Sequence, residues 1–332
     1  MSKKYKQLVN LWFGFICCTG VSTLVHAEDT PQGSAIPRQV VALLAANQLV
    51  ALGDIHGSER PVNMLISLLE TSEVAQQIDD IVVEFGNSQY QRMADEYILN
   101  GRNIAISERQ KIWRNTLYFM AWQTLQYARL MTYLHEYNQQ HQKKIRLVLA
   151  EPAFNWQLIT SEQWQQLASN READYVTRIE QQVLEKNRKG ILLFGTFHQI
   201  KKPVALAPQQ REFTSLVARL AAKGIQIATI WPHIGPALTQ DYRVPTLIDL
   251  QSDPMGKQPI DQLSARFTSQ LPFHTIADYY LYSGAESREA QPAENNIDDL
   301  AWRAEMKRRG DMLGGRVQSQ VNAWLAAHPV SR

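Results

Sequence analysis

Short runs of apolar, β-branched residues recur along the chain, and longer stretches separate them. Asp80–Glu84 (DIVVE) and Ile191–Phe194 (ILLF) are two examples, and both are too short for a helix. Near-continuous apolar runs of this kind are typical of parallel strands buried on both faces of a sheet. We predict seven strands, over residues 48–52, 80–84, 145–150, 191–194, 225–231, 244–250 and 279–282.

The stretches between the runs carry apolar residues at helical spacing. Residues 61–70, for example, place Val62, Leu65 and Leu69 on one stripe. We predict helices over 38–47, 61–70, 161–187 and 213–223, a helical insertion around 88–140, and a long loop over 252–270. Strands that alternate with helices predict an α/β fold with a mostly parallel central sheet flanked by helices. The insertion, rich in Tyr and Trp, is expected to pack on the sheet as a helical lid; the alternative is a pocket wall for haem or a macrolide.

The first 27 residues differ from the rest. Three lysines precede the 11-residue apolar run Leu8–Cys18, and the segment ends in Val25-His26-Ala27, a small-residue cleavage pattern. The apolar run is well short of the roughly 20 residues that a spanning helix needs. We therefore predict a signal peptide over residues 1–27, a single α/β domain over 28–332, a secreted or periplasmic location, and no stable membrane span after cleavage.

Composition excludes several classes of protein. The 34 Lys and Arg residues nearly balance the 32 Asp and Glu residues, so no basic excess exists to displace counterions from nucleic acid. We therefore predict no nucleic-acid partner. Both cysteines, Cys17 and Cys18, lie in the predicted signal peptide. Without them, thiolate catalysis and Cys–zinc sites are excluded, and any chemistry rests on His, carboxylates and Arg.

Polar residues that could take part in chemistry follow the first four predicted strands. They are Asp54 and His56 after the first strand, Glu84 at the second, Glu151 at the third and His198 at the fourth. Ligands bind beyond the carboxyl ends of the strands in a parallel sheet, so we expect these side chains to meet at one edge. Two histidines among carboxylates suit a divalent metal or a His general base.

Several of these segments resemble a known superfamily in their order. Leu52–His56 (LGDIH), Val82–Glu84 (VVE) and Gly195–His198 (GTFH) resemble the sparse signature of Tiki/TraB, ChaN-like haem-uptake and erythromycin esterase-like proteins. The pair Arg171-Glu172 resembles the helix in which that superfamily directs an arginine towards its site. Residues 278–284 resemble its closing strand. The likeness extends over most of residues 28–332.

The resemblance implies three different activities. Erythromycin esterase-like members are hydrolases in which a histidine is thought to activate water, Tiki-like members are metal-dependent proteases, and ChaN-like members are associated with haem or iron. This chain has Asp54 where many members have Glu, and Glu172 where Asp is commoner, so its branch stays open. It contains no G-x-S-x-G motif for a serine nucleophile, and a water-activating mechanism fits that absence.

We therefore expect an exported hydrolase that acts on an ester or peptide bond of a small molecule or a peptide. The alternative is a non-catalytic haem- or iron-binding protein on the same fold. A metallophosphoesterase is a weaker alternative, because Gly53–Gly57 (GDIHG) resembles the first calcineurin-like motif but the later motifs are missing.

Roles are assigned to eight residues on this basis. His56 is the candidate general base, Asp54 and Glu84 orient it, and His198 is a second base or acid. If a metal is present, His56, Glu84 and His198 are its expected ligands. Candidate substrate-binding residues are Arg60, Arg114, Arg171 and Glu151. Arginine binds carboxylate or phosphate in a bidentate fork, although a structural ion pair explains each arginine equally well.

Overall fold

The computed structural model describes residues 35–208, 211–233, 242, 244–284 and 294–330. The predicted signal peptide lies outside the described residues. Within the described ranges, no helix combines the length and the apolar character that crossing a bilayer requires.

The strands follow the predicted apolar runs closely. Their bounds are β1 Leu49–Asp54, β2 Asp80–Asn87, β3 Arg146–Glu151, β4 Gly190–Gly195, β5 Val204–Leu206, β6 Arg211–Phe213, β7 Ile227–Pro232, β8 Thr246–Asp249 and β9 Tyr279–Tyr282. Each of the seven predicted strands overlaps one of these. The short strands β5 and β6 were not predicted, and they form a separate antiparallel pair.

The other seven strands form one sheet in the order β3-β2-β4-β1-β7-β9-β8. All neighbours in it are parallel except β8, which runs antiparallel to β9. Strands β1, β2 and β4 are buried along their whole length, as expected for strands covered on both faces. The predicted α/β fold with a mostly parallel central sheet is therefore confirmed.

Helices lie before, between and after the strands. Their bounds are α1 Ala35–Ala46, α2 Arg60–Leu69, α3 Ser72–Ala75, α4 Gln91–Ile98, α5 Ile106–Arg109, α6 Lys111–Arg114, α7 Gln126–Gln140, α8 Ser161–Ile179, α9 Leu216–Ala222, α10 Glu294–Ile297, α11 Leu300–Leu313 and α12 Gly315–Ala327. Helix α8 begins at a capping box in which Thr160 and Gln163 satisfy each other's backbone N–H groups. The predicted helix over 161–187 continues beyond α8 only as a π-helical segment over 180–184. Helices α11 and α12 were not predicted.

The two faces of the sheet are covered by different parts of the chain. Helices α8 and α9 pack on one face, where Tyr175 and Leu216 are buried against Leu192. Helices α1, α2, α4 and α7 pack on the other face in a larger core. Residues 88–140, called the insertion below, supply α4 to α7. The C-terminal helices α11 and α12 pack against the insertion through a separate buried group, the aromatic cluster, formed by Phe119, Trp156, Trp302, Met306 and Val321.

Candidate functional site

Glu84 of β2 lies at the centre of a buried group of charges. One carboxylate oxygen is 3.3 Å from His198 Nε2, and the other is 3.6 Å from His56 Nε2 and accepts a 2.8 Å hydrogen bond from the Gly195 N–H. Arg171 Nη1 lies 3.8 Å away. Burial alone would raise the pKa of Glu84, but the positive charges of His198, His56 and Arg171 outweigh it and hold the pKa well below its usual range. Glu84 is therefore a buried carboxylate that stays ionised.

Sheet topology explains why residues so distant in sequence converge. Strand β2 lies between β3 and β4, and β4 is followed in the sheet by β1. The carboxyl ends of β1, β2 and β4 therefore lie side by side. Gly195, at the end of β4, is required by the close approach, because a Cβ there would be 2.9 Å from His56 Nε2 and 3.1 Å from a Glu84 oxygen. Glycine at this position lets the imidazole and the carboxylate approach each other.

His56 lies between two buried carboxylates, Asp54 and Glu84, but its own side chain is partly exposed. Its Nδ1 is 3.1 Å from Asp54 Oδ2, and the Tyr127 hydroxyl donates to the same oxygen at 3.0 Å. The edge of the ring contacts Trp122 at a centroid distance of 4.4 Å. Asp54 is 4% exposed, whereas the His56 side chain is 35% exposed. Burial lowers the pKa of His56, but the charge of Glu84 and the hydrogen bond to Asp54 raise it by more than burial lowers it. The pKa of His56 is therefore raised above the ordinary value of 6.5.

His198 lies in a fully enclosed setting. It belongs to the 3₁₀ turn Thr196–Gln199 after β4, and its Nδ1 is 2.5 Å from Glu172 Oε1. The other Glu172 oxygen accepts a 2.7 Å hydrogen bond from the N–H of Leu216, the first residue of α9. Burial disfavours the imidazolium, but Glu172 and Glu84 outweigh it and raise the pKa of His198 to about 9. At neutral pH, His198 is a buried cation between two carboxylates.

Arg171 of α8 completes the group with loose contacts. Its guanidinium is 3.8 Å from Glu84 and 3.9 Å from Glu172, and it stacks over the Tyr118 ring at 4.3 Å. Within the part of the chain that the structure describes, it makes no hydrogen bond, and its side chain is 22% exposed. The N–H groups of a fully charged arginine are thus left for an oxygen atom of a bound molecule.

Glu151 at the end of β3 faces the insertion and α8. Its carboxylate accepts hydrogen bonds from the Tyr175 hydroxyl at 2.7 Å and from the Leu117 N–H at 3.3 Å. Complete burial raises the pKa of Glu151 to about 7, against the opposing effect of Arg171. Both of its oxygens are therefore already used in joining Leu117 of the insertion to Tyr175 of α8.

Two of the eight predicted site residues make contacts elsewhere. Arg60 donates to the carbonyl of Gly284 at 2.9 Å. Arg114 pairs with Asp299 at 2.7 Å and donates to Asn296 at 2.6 Å, which joins the insertion to the C-terminal helices. For Arg114, the structural ion pair that the sequence left open is the one that forms. Asp54, His56, Glu84, His198 and Arg171 are the residues that the fold brings together.

Sequence reasoning missed some members of this group. Glu172 could have been found, because it follows Arg171 in the helix motif and the spacing to Tyr175 places both residues on one side of α8. No local signal distinguished Tyr127 or Trp122 from the other aromatic residues of the insertion. Their contacts with Asp54 and His56 depend on how the insertion packs on the sheet.

The arrangement does not fit the predicted metal set. The described residues contain no group of three or more His, Cys, Asp or Glu side chains that could hold a metal ion. Both nitrogens of His198 face carboxylate oxygens, at 2.5 Å and 3.3 Å, and His56 Nδ1 faces Asp54. A metal ion at His198 would have to replace one of these contacts between an imidazole nitrogen and a carboxylate oxygen. A haem iron bound through His198 would meet the same obstacle.

Comparison with known proteins gives similarity at the level of structure only. No protein-family model matches the chain, and no curated protein matches its sequence. A succinoglycan biosynthesis protein aligns with TM-score 0.54 and 10% identity, over 76% of this chain and 91% of that one. A mutant of erythromycin esterase EreC in its open conformation aligns with TM-score 0.51 and 11% identity, over 76% and 94%. Haem-bound ChaN of Campylobacter jejuni aligns with TM-score 0.38 and 14% identity, over 74% and 90%.

The first two alignments cover more than nine-tenths of the matched chains and about three quarters of this one. Identities near 10% carry no information about substrate. The predicted resemblance is confirmed for the fold alone: this chain shares its α/β fold with the succinoglycan biosynthesis protein and the erythromycin esterase mutant.

Proposed function

We propose that this protein is a hydrolase in which His56 activates water for attack on an ester or peptide bond. The observation that carries the proposal is the pairing of the His56 imidazole with the Asp54 carboxylate. Its Nδ1 is 3.1 Å from the buried Asp54 carboxylate, while the imidazole is the most exposed side chain of the group. A histidine that a carboxylate orients at Nδ1, and whose ring is partly exposed to solvent, is the arrangement of a general base.

The reaction follows from the charges around His56. Neutral His56 accepts a proton from water at Nε2 and donates Nδ1–H to Asp54, and the hydroxide formed attacks the carbonyl carbon of the substrate. The carbonyl oxygen gains negative charge, which the free N–H groups of Arg171 and the nearby His198 cation stabilise. The C–O or C–N bond then breaks, and the leaving group takes the proton from His56.

The alanine variant of His56 tests the proposal. With a panel of p-nitrophenyl esters and peptide amides, His56→Ala is expected to lower kcat/KM by about 10²–10⁴-fold, the usual contribution of a general base. His141→Ala is the matched control, since His141 is exposed at the end of α7 and, among the described residues, its side chain hydrogen-bonds to Tyr137 of that helix. Full activity in His56→Ala, or equal losses in both variants, would contradict the proposed role of His56.

We also propose that the protein is exported. The support is the pattern of residues 1–27, in which three lysines and an apolar run precede Val25-His26-Ala27. Expression of the full chain in a bacterium with a periplasm is expected to give a secreted or periplasmic protein that begins at Glu28. Mass spectrometry of the purified N-terminus measures this, and an intact N-terminus in the cytoplasmic fraction would refute export.

A further inference from the structure

Three arginines from distant parts of the chain come together beside the candidate site. Arg171 lies on α8, Arg266 lies in the segment that connects β8 to β9, and Arg316 lies in the first turn of α12. Arg266 and Arg316 are exposed, and neither side chain forms a hydrogen bond or an ion pair with any other described residue. These three residues are called the arginine patch below.

Phe197 places Arg266 at the rim of the site. The Arg266 guanidinium lies over the Phe197 ring at 4.2 Å, and Phe197 directly precedes His198 in the 3₁₀ turn after β4. The backbone at this point is fixed, since the Arg266 carbonyl accepts a 2.8 Å hydrogen bond from the Ala207 N–H. The next residue, Phe267, is buried and stacks on Phe197 at a centroid distance of 5.2 Å. Arg266 therefore has a defined position next to His198.

Helix α12 brings Arg316 to the same region. Val317, the next residue, lines a surface groove together with Tyr118, and the Tyr118 ring stacks against the Arg171 guanidinium at 4.3 Å. Partial burial lowers the pKa of Arg266, and the positive charges of Arg316 and Arg171 lower it further. Arg266 thus lies close enough to both other arginines to be repelled by them.

The positive charge of the arginine patch is poorly balanced by its surroundings. Arg316 lies at the amino end of a 13-residue helix that has no acidic residue in its first turn and no side-chain cap. The helix dipole places positive potential at this end, so a cation there is unfavourable. Arg171 has only the contacts of 3.8 Å and 3.9 Å to Glu84 and Glu172. Guanidinium groups bind carboxylate or phosphate oxygens in a bidentate fork, so an anion is the ligand that would relieve the repulsion.

We infer that the arginine patch binds an anionic group of the substrate, a carboxylate or a phosphate, while the carbonyl oxygen of the scissile bond faces Arg171. The inference rests on the proposed function and specifies its substrates as esters or amides with a negative charge away from the bond that breaks. The patch adjoins the site in two places. Arg171 belongs to both, and Arg266 covers the residue next to His198.

Paired substrates of equal length test the inference. The p-nitrophenyl monoesters of adipic and suberic acid carry a terminal carboxylate, and p-nitrophenyl hexanoate and octanoate are their neutral counterparts. At low ionic strength, the wild type should have a kcat/KM at least about tenfold higher for a monoester than for its counterpart, as expected from a hydrogen bond to a charged group. Arg266→Gln and Arg316→Gln should lose most of this preference while kcat/KM for the neutral esters stays within about twofold of the wild type.

Arg92→Gln is the matched control for these variants. It removes the same charge, and Arg92 is exposed on α4, which packs on the opposite face of the sheet from α8. Arg92→Gln is therefore expected to keep the wild-type preference. An equal loss in Arg92→Gln and Arg266→Gln would overturn the inference, because net charge and not the patch would then attract the monoesters. A wild type without any preference would also overturn it.

Direct binding separates the patch from the chemistry. Calorimetric titration with sodium adipate and with sodium phosphate should show that at least one of them binds the wild type and Arg92→Gln, with at least about tenfold weaker binding to Arg266→Gln. The anion that binds more tightly identifies the charged group as a carboxylate or a phosphate. If an anion binds in this way but no ester is hydrolysed, the proposed function fails and the anion site stands. If esters are hydrolysed but neither anion binds, the inference is overturned and the proposed function stands.

Discussion

The two edges of the central sheet hold their charges in opposite ways. At the amino edge, Arg188 donates two hydrogen bonds, of 2.6 Å and 2.9 Å, to the Asp80 carboxylate. At the carboxyl edge, the cationic side chains lie farther from Glu84: His198, His56 and Arg171 are 3.3 Å, 3.6 Å and 3.8 Å away. Asp80 and Glu84 are both buried and lie four residues apart on the same strand.

The difference separates charges that hold the fold from charges that are available for chemistry. A bidentate pair satisfies both partners and leaves nothing for a ligand. The carboxyl edge instead collects four carboxylates, two histidines and an arginine that makes no hydrogen bond within the described part of the chain. Such an arrangement is stable only because opposite charges alternate around Glu84, and it leaves His56 and Arg171 able to interact with a bound molecule.

The largest expected effect comes from exchanging the two buried β2 carboxylates for amides. Glu84→Gln is expected to lower kcat/KM for ester hydrolysis by about 10³-fold, because the amide no longer balances the charges of His56, His198 and Arg171. Asp80→Asn should keep kcat/KM within about twofold of the wild type. It should lower the free energy of unfolding by about 1–3 kcal/mol, since the amide weakens the pair with Arg188. Steady-state kinetics and urea denaturation of both variants measure these effects.

The comparison would break if both amides lowered activity to a similar extent. It would also break if Glu84→Gln retained full activity. Either result would mean that the carboxyl edge is no more functional than the amino edge.

The strands and helices that could be predicted from the sequence are those with a regular apolar pattern. Strands such as β2 and β4 are buried on both faces, so their apolar runs are nearly continuous and stand out. Helix α11 buries Arg309 and Gly310 beside Trp302 and Met306, so it has no clean apolar stripe and was missed. The buried Arg309 is possible only because Glu305 and the rings of the aromatic cluster surround it.

The same limit applies to the candidate site: residues next to a strand could be predicted, and contacts between distant segments could not. Asp54, His56, Glu84 and His198 were identifiable because each lies at or just after the end of a recognisable apolar run. Contacts that depend on packing between distant segments, such as that of Tyr127 with Asp54, leave no local pattern in the sequence. For the same reason, the sequence did not show whether Arg114 faces the site or Asp299.

The second expected effect is a pH dependence of stability that originates at the carboxyl edge. The pKa of His198 is about 9 in the fold against 6.5 for an ordinary histidine, so its favourable charge is present below pH 6.5 and lost as pH rises to 9. The pKa of Glu151 is about 7 against 4.5, so its ionisation destabilises the fold as pH rises from 4.5 to 7. Each group should lower the free energy of unfolding by about 3 kcal/mol across its own window.

Single variants test which residue causes the loss of stability in each pH range. Denaturation midpoints between pH 4.5 and 9.5 should lose the upper slope in His198→Gln and the lower slope in Glu151→Gln. At the amino edge, burial of Asp79 is outweighed by Lys143 and the Lys189 N–H, which lower the pKa of Asp79 below 3.8. Its contribution is therefore lost only in stronger acid, and Asp79→Asn should keep both slopes. Slopes that persist in His198→Gln and Glu151→Gln would show that other groups cause them.

The smallest expected effect distinguishes the arginines at the two edges. Arg171→Lys keeps a positive charge near Glu84 but removes the planar fork that faces the substrate oxygen, so kcat/KM should fall by about tenfold. Because Arg171 makes only contacts of 3.8 Å and 3.9 Å to carboxylates, the free energy of unfolding should change by less than about 0.5 kcal/mol. Arg188→Lys removes one of two hydrogen bonds to Asp80 and should lower the free energy of unfolding by about 1 kcal/mol at unchanged kcat/KM. If Arg171→Lys instead destabilised the protein while retaining activity, Arg171 would be a structural partner of Glu84, and the division between the two edges would not extend to their arginines.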